Sequence, residues 1–224
     1  MDDLAYIQHA VLPSLIQGLG VSILLILPSA VCGLCLGVMV GTLHVYGSPA
    51  IKILMKGYVL IFRGFPLIIQ LYIWYFGLAR IGLFLSPYTA SVLGFSLCSA
   101  AYHSEYIRGA VVSIRHGQTA AAQALGFTRF QTIFFVMLPQ TMRRALPGCG
   151  NEIIYLIKYS SLAYMVTCIE LTGKGKILAS ASFKYIQVFM IVGAIYLFLV
   201  TIASILLSRL ETRWVIPGFE RYTS

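Results

Sequence analysis

Apolar residues in this chain run in long blocks. They do not alternate as in a half-buried strand, nor form the one-sided stripe of a soluble surface helix. Five blocks, at 15–43, 51–78, 87–112, 150–171 and 187–208, are each long enough for the roughly 20 residues that cross a bilayer. The second is interrupted by Arg63-Gly64-Phe65-Pro66. The third starts apolar and turns more polar toward its end. The pattern predicts an all-α fold: a polytopic membrane protein with five transmembrane helices in one domain spanning 1–224. The longest connection, 113–148, lies between the third and fourth spans. An odd number of spans puts the two termini on opposite sides.

Composition narrows the class. Hydrophobic residues make up 59% and charged residues 10%, against about 25% charged in an average soluble domain. Mean hydropathy is +0.87. Disorder is excluded, and so few charges would not wet a soluble surface. Met1-Asp2-Asp3 has no basic n-region, so no cleaved signal peptide is expected.

The net charge of +9 gains an address once mapped onto the spans. Lys52, Lys56, Arg63, Arg108, Arg115, Arg129, Arg143, Arg144, Arg209, Arg213 and Arg221 fall on one side. Arg80, Lys174, Lys176 and Lys184 fall on the other, and Lys158 lies within the fourth block. The richer side is expected in the cytoplasm, with the N-terminus outside and the C-terminus inside. Nucleic acid is not needed to explain the excess.

The connection 113–148 is not a plain loop. Thr119-Ala-Ala-Ala-Gln-Ala-Leu125 reads as a short helix, and Gly126 sits where a left-handed residue would close it. Thr128 and Gln131 have capping-box spacing and predict a second helix through Ile133, Phe134, Phe135 and Met137, stopping near Pro139. The hairpin either packs on its own spans or docks a cytoplasmic partner. A DNA-binding helix-turn-helix is disfavoured, because the second helix is largely apolar and lacks a basic reading face.

The run Tyr102-His-Ser-Glu-Tyr-Ile-Arg-Gly109 carries a resemblance, together with Gly117-Gln118, Ala121-Ala122, Ala124-Leu125-Gly126, Leu138-Pro139-Gln140, Pro147 and Asn151-Glu-Ile-Ile154. Arg63-Gly-Phe-Pro-Leu67, Gln70 and Lys158-Tyr-Ser-Ser-Leu162 extend it in the same order along nearly the whole chain. These residues resemble the permease subunits of ABC importers for polar amino acids, the histidine/glutamine/arginine permease family. The resemblance implies a second permease subunit (identical or different), a cytoplasmic ABC ATPase dimer that holds ATP and Mg, and an extracytoplasmic amino-acid-binding protein. It implies a multi-pass protein of the bacterial inner membrane with no cofactor in this chain. It also implies that the hairpin is the family's coupling loop, with Gly117, Gln118, Ala120, Ala121, Ala122, Leu125, Gly126, Leu138 and Pro139 as its marked positions. Two departures stand out. The family's Glu-Ala-Ala is here Ala120-Ala121-Ala122, and its Arg-Gly-Thr-Pro is Arg63-Gly64-Phe65-Pro66.

Ionisable groups inside spans are costly and default to functional candidates. Glu152 and Lys158, six apart, fall on different helix faces. Lys158 either snorkels to an interface or meets the carboxylate of an amino acid. Gly64 and Pro66 interrupt the second span, either as broken backbone that lines a cavity or is buried in protein, or as a plain kink at Pro66 without a ligand role; Arg63 and Glu152 are further candidates for substrate contact. Gln70, Ser160 and Ser161 suit either substrate or interhelical hydrogen bonds. Glu105 and Arg108, three apart, are expected to pair. Gly33, Gly37 and Gly41 suit close helix packing, for which a subunit interface is one place.

Other chemistry is not supported. Cys32 and Cys35 have redox spacing but sit in an apolar span. The four histidines lack metal-ligand spacing, and there is no phosphate-cradling Gly-rich loop. The rival class is a stand-alone secondary transporter or channel. It would show internal repeats and ion-coupling groups, and neither is evident. An integral membrane enzyme would need clustered catalytic residues, which are also absent. The expected activity is transport, with ATP hydrolysed by a separate subunit.

Overall fold

The computed structural model describes residues 6–114 and 117–214. Met1-Asp2-Asp3, Arg115 and Arg221, used above for orientation, lie outside the described residues. Among the described residues the chain is a series of helices without strands. In chain order they are α1 (Ile7–Tyr46), α2 (Pro49–Gly64), α3 (Leu67–Gly77), α4 (Pro87–Ser113), α5 (Gly117–Ala124), α6 (Arg129–Val166), α7 (Leu171–Ser182) and α8 (Tyr185–Arg213). Two starts share one device: Ser48 and Ser86 cap the first turns of α2 and α4, and a proline follows each at the first helical position. Ser86 Oγ accepts from the Thr89 N–H at 3.1 Å.

Among the described residues, only α1, 40 residues, and α8, 29 residues, are by themselves long and apolar enough to cross a membrane. Two bent pairs, α2–α3 and α6–α7, would raise the number to four. The expected second span is thus two helices meeting at 102°, far beyond a proline kink. At about 24 Å for the 16 residues of α2, neither half reaches across about 30 Å of hydrocarbon.

The third block is a single helix of 27 residues, α4. Its hydropathy is low for a reason that packing supplies. Ser91, Ser96, Ser99, His103 and Ser104 are all buried, so this helix is wrapped by protein and need not match lipid. Its main neighbour is α1. Gly33 faces Ser99, Gly37 faces the Cβ of His103, and Gly41 faces Ser104 O and Ile107. The glycine stripe therefore joins two helices of the same chain and is not a subunit interface. Small residues let the backbones approach where hydrophobic expulsion from water offers no drive.

The fourth region differs most from expectation. The helix that begins after the hairpin turn does not stop at Pro139. It widens into a π turn over Thr132–Met137, with the Leu138 N–H donating to Ile133 O, and continues through Pro139 and Pro147 to Tyr159. The wide turn accommodates the missing proline N–H and the bulk of its ring. After Tyr159 the backbone tightens to a 3₁₀ stretch ending at Val166. Between the fourth and fifth blocks lies α7, which turns 54° from α6. Val11, Leu15, Leu171, Ala179, Val188 and Val192 pack α7 between α1 and α8.

Large apolar side chains face outward along α1 and α8, among them Leu24, Leu27, Val31, Met190, Leu197 and Phe198. Hydrophobic outer faces suit lipid, while the interior combines apolar clusters with small and polar contacts along the α1–α4 seam.

Candidate functional site

The α2–α3 break is built by two local choices and one contact with a distant helix. Pro66 biases Phe65 to extended backbone, φ −86 and ψ 134, which ends α2. Gln70, buried in the next turn, donates its amide N–H groups to Phe62 O and Phe65 O, both at 2.9 Å. That staples the carbonyl end of α2 to the start of α3 and uses the Gln70 amide nitrogen. Tyr58 OH donates to Leu97 O at 2.6 Å and fixes α2 against α4.

Arg63 stands at the break. Its guanidinium lies 5.0 Å from the Tyr102 ring centroid and 3.7 Å from a Glu105 carboxylate oxygen. Arg108 holds the same carboxylate bidentately, at 2.9 and 2.8 Å, as the spacing predicted. His44 Nδ1 lies 3.8 Å from Glu105. Arg63 and Tyr102 separate two open clefts. One of about 650 Å³ runs past His44, Lys56 and Glu105. The other, of about 530 Å³, runs past Pro66, Cys98, Tyr159 and Leu162. Both volumes are in the range of small-ligand sites.

The remaining pathway candidates divide. Glu152 is buried, with Ser99 and Arg63 as electrostatic neighbours. Lys158 is exposed, its ammonium 4.2 Å from the Tyr155 ring centroid. The two do not pair. Ser160 and Ser161 turn their hydroxyls back on the helix, to Ile157 O at 2.8 Å and Lys158 O at 2.7 Å. Those bonds sit at the change from α to 3₁₀ geometry. The structure thus gathers Arg63, Gly64 and Pro66 with Tyr102 and Tyr159, and puts Gln70, Ser160 and Ser161 into backbone contacts.

The hairpin has the turn chemistry that its sequence predicts. Gly126 has φ +82. The Phe127 N–H donates to Ala122 O and the Gly126 N–H to Gln123 O, the paired bonds of a Schellman closure. Both halves of the Thr128–Gln131 capping box are formed. Ala122 is buried against the hairpin's own second arm, and Gln118 Oε1 accepts from Gln140 at 3.3 Å. Gly117, Gln118, Ala120, Ala121 and Leu125 are exposed, as is Pro139, and Leu138 is half-buried. Leu125, Phe130 and Phe135 are largely exposed too, an apolar tip.

Two basic residues of the hairpin region have partners within the chain. Arg129 Nη2 donates to Tyr46 O, at the C-terminus of α1, at 2.8 Å. Arg144 Nη1 donates to Ser113 O, at the C-terminus of α4, at 2.7 Å. Each neutralises carbonyls at a negative helix end. The α5–α6 hairpin is thereby clamped to both helices of the central pair.

The sequence reading passed over Glu170. Its carboxylate is fully buried and accepts four hydrogen bonds, from the N–H groups of Thr172 and Gly173 at 2.8 and 2.9 Å and from the hydroxyls of Ser22 and Tyr196 at 3.4 and 2.9 Å. It caps α7 and ties it to α1 and α8. A signal existed, since an acid inside an apolar block invites the same question as Glu152. Among the described residues no group of three His, Cys, Asp or Glu side chains is gathered as metal ligands.

Comparison with known proteins gives a consistent result. Residues 33–216 match the family model for the binding-protein-dependent transport system inner membrane component. The chain is 33% identical over 204 residues to the glutamine transport system permease protein GlnP of Escherichia coli (strain K12), covering 90% of this chain and 93% of that one. It is 34% identical over 215 residues to the nopaline transport system permease protein NocM of Agrobacterium fabrum, covering 92% and 89%. A crystal structure of an amino acid ABC transporter with histidines superposes with a TM-score of 0.85 at 30% identity, covering 95% of this chain and 99% of that one.

Proposed function

The chain belongs to the family of binding-protein-dependent transport system inner membrane components, and from that premise we propose that it is the membrane-spanning permease subunit of an ATP-driven importer for polar amino acids. It performs no covalent chemistry. ATP and Mg belong to a cytoplasmic ABC ATPase dimer, and an extracytoplasmic binding protein delivers the amino acid to this chain and a second permease subunit. The bilayer is a bacterial inner membrane. The five crossings are α1, the bent α2–α3, α4, α6 and α8, with the N-terminus outside and the hairpin and C-terminus in the cytoplasm.

The observation that carries this reading is the hairpin. An exposed, small-residue face on Ala120, Ala121 and Ala124 stands outside the helix bundle, yet its second arm is held by Arg129 and Arg144 to the ends of α1 and α4. A helix without bulky side chains fits a cleft on a partner. Two rigid clamps carry its displacement to the two helices that pack most closely. Closure of the ATPase dimer would thus pull on α1 and α4 together. On the pathway, Arg63 beside the 530 Å³ cleft offers a cation to the carboxylate of a zwitterionic substrate.

Reconstitution of this chain with the ATPase, the second permease and binding proteins loaded with different amino acids tests the reading. One loaded binding protein should stimulate both ATP hydrolysis and uptake. Uptake that persists without the ATPase would refute it.

A further inference from the structure

On α2, Lys52, Lys56, Val59 and Arg63 follow one another at intervals of four, three and four, so they share one helix face. That face meets α1 and α4 at the end where the hairpin is clamped. There a shallow cleft of about 350 Å³, lined by His44, Lys52, Ile53, Lys56, Arg108 and Val112, is continuous through His44, Lys56 and Arg108 with the larger cleft around Arg63. The charges are unbalanced. Lys56, Arg63 and Arg108 line the larger cleft with a single carboxylate, Glu105, which Arg63, Arg108 and His44 already share, and Lys52 adds a further cation in the shallow cleft. Among the described residues Lys52 and Lys56 have no acidic partner, and both are exposed.

One helix stripe over from the lysines, Ile53 and Leu60 lie seven residues apart and are 73% and 72% exposed. A cationic stripe beside an exposed apolar stripe, both running along a helix from the membrane face inward, matches one kind of ligand. We propose that this cleft seats the headgroup of an anionic phospholipid from the leaflet on the hairpin side. Lys52, Lys56 and Arg108 donate to the phosphate oxygens, and an acyl chain lies along Ile53 and Leu60. Basic pockets between spanning helices on the cytoplasmic side recognise such headgroups by charge. An acidic soluble partner would match the lysines but would leave the apolar stripe uncovered. Occupancy would wedge α2 against the Glu105 cluster and so hold the elbow at Arg63. The inference rests on the placement of this end at the inner face given under the proposed function.

The test uses the assembled transporter in nanodiscs of phosphatidylglycerol diluted in phosphatidylcholine, with bound lipid counted by mass spectrometry. Phosphatidylglycerol should be enriched over the bulk ratio. The double variant Lys52→Gln/Lys56→Gln should weaken the enrichment about 30-fold, taking the per-residue contribution of a basic side chain at an anionic surface. Lys176→Gln, an exposed lysine on α7, should leave it intact. Equal enrichment in the double variant overturns the proposal. Displacement of the lipid by inorganic phosphate at comparable concentration would make this a soluble-anion site and also overturn it. So would disulfide cross-linking between two copies carrying Lys56→Cys, since the face would then be covered by a second subunit. Should the double variant fail to assemble, the wild-type lipid count and the phosphate competition decide alone. Bound lipid is read without transport, so failure of uptake and failure of this site remain distinct.

Discussion

Replacing Gly37 by alanine separates packing from helix propensity within one helix. Alanine is about 1 kcal/mol better than glycine in a helix interior. At Gly20, also in α1, an added Cβ meets nothing within 4 Å, so Gly20→Ala should express that gain or stay neutral. At Gly37 the added Cβ falls on the Cβ of His103, with Ala100 O at 3.1 Å and Ser104 N at 3.3 Å. Those neighbours are backbone or the root of a side chain, so none can swing away. His103 is itself fully buried. The helices must separate, and overpacking costs about 1–3 kcal/mol. With nothing flexible to yield, the upper end applies, and the net loss is about 2 kcal/mol. By the size scaling of unfolding entropy, that lowers Tm by about 4–8 °C. Fluorescence-detected thermal unfolding of both variants in the assembled complex reads the difference. Equal Tm values for Gly37→Ala and Gly20→Ala would refute the α1–α4 seam as drawn.

Three further outcomes follow from the same geometry. Gly126→Pro should abolish transport while the chain stays in the membrane, because proline is fixed near φ −65 where φ +82 is needed and the bond to Gln123 O is lost; normal uptake by this variant would argue against docking by the hairpin. Glu170→Ala strands two N–H groups and removes an acceptor from the Ser22 and Tyr196 hydroxyls, of which Tyr196 keeps Thr172, and should cost about 3 kcal/mol, seen as loss of folded complex on gel filtration. Glu170→Gln, which keeps one acceptor oxygen, should lose less, and identical behaviour of the two would show that the hydrogen bonds contribute little. Arg129→Ala/Arg144→Ala should lower uptake per ATP hydrolysed more than it lowers ATP hydrolysis; an unchanged ratio in proteoliposomes would show that the clamps do not carry the coupling.

Much of the local structure was legible in the sequence because its causes are local. Gly126 and the Thr128–Gln131 pair specify their turn and cap from neighbours a few residues away. Ser48-Pro49 and Ser86-Pro87 start their helices for similar reasons. The Glu105–Arg108 pair needs only one helix turn. Other features depend on residues far apart in sequence. The glycine stripe can be read as a packing surface, but not as one that meets His103 and Ser104 of the same chain. Pro139 signals a helix end by local rules, and the π turn before it, with Met137 buried in the cluster that includes Ile107 and Ala110, lets the helix continue. The interruption at Arg63–Pro66 was visible, whereas the placing of the bent pair also needs Tyr58 to find the carbonyl of Leu97 on another helix.

The sequence by itself determined a membrane-embedded, all-helical chain, its family resemblance and the chemistry of its hairpin. Hydrophobic block length, charge placement and turn residues act through the solvent or over a few peptide units, so they are written in order along the chain. Tertiary structure decided which helix is wrapped by the others, where Glu170 and Gln70 spend their hydrogen bonds, and that Arg129 and Arg144 grip the ends of α1 and α4. In a bilayer no difference in hydrophobicity sorts one apolar helix face from another. Which faces meet is settled by small residues and paired polar groups on different helices, and that matching exists only once the chain is folded.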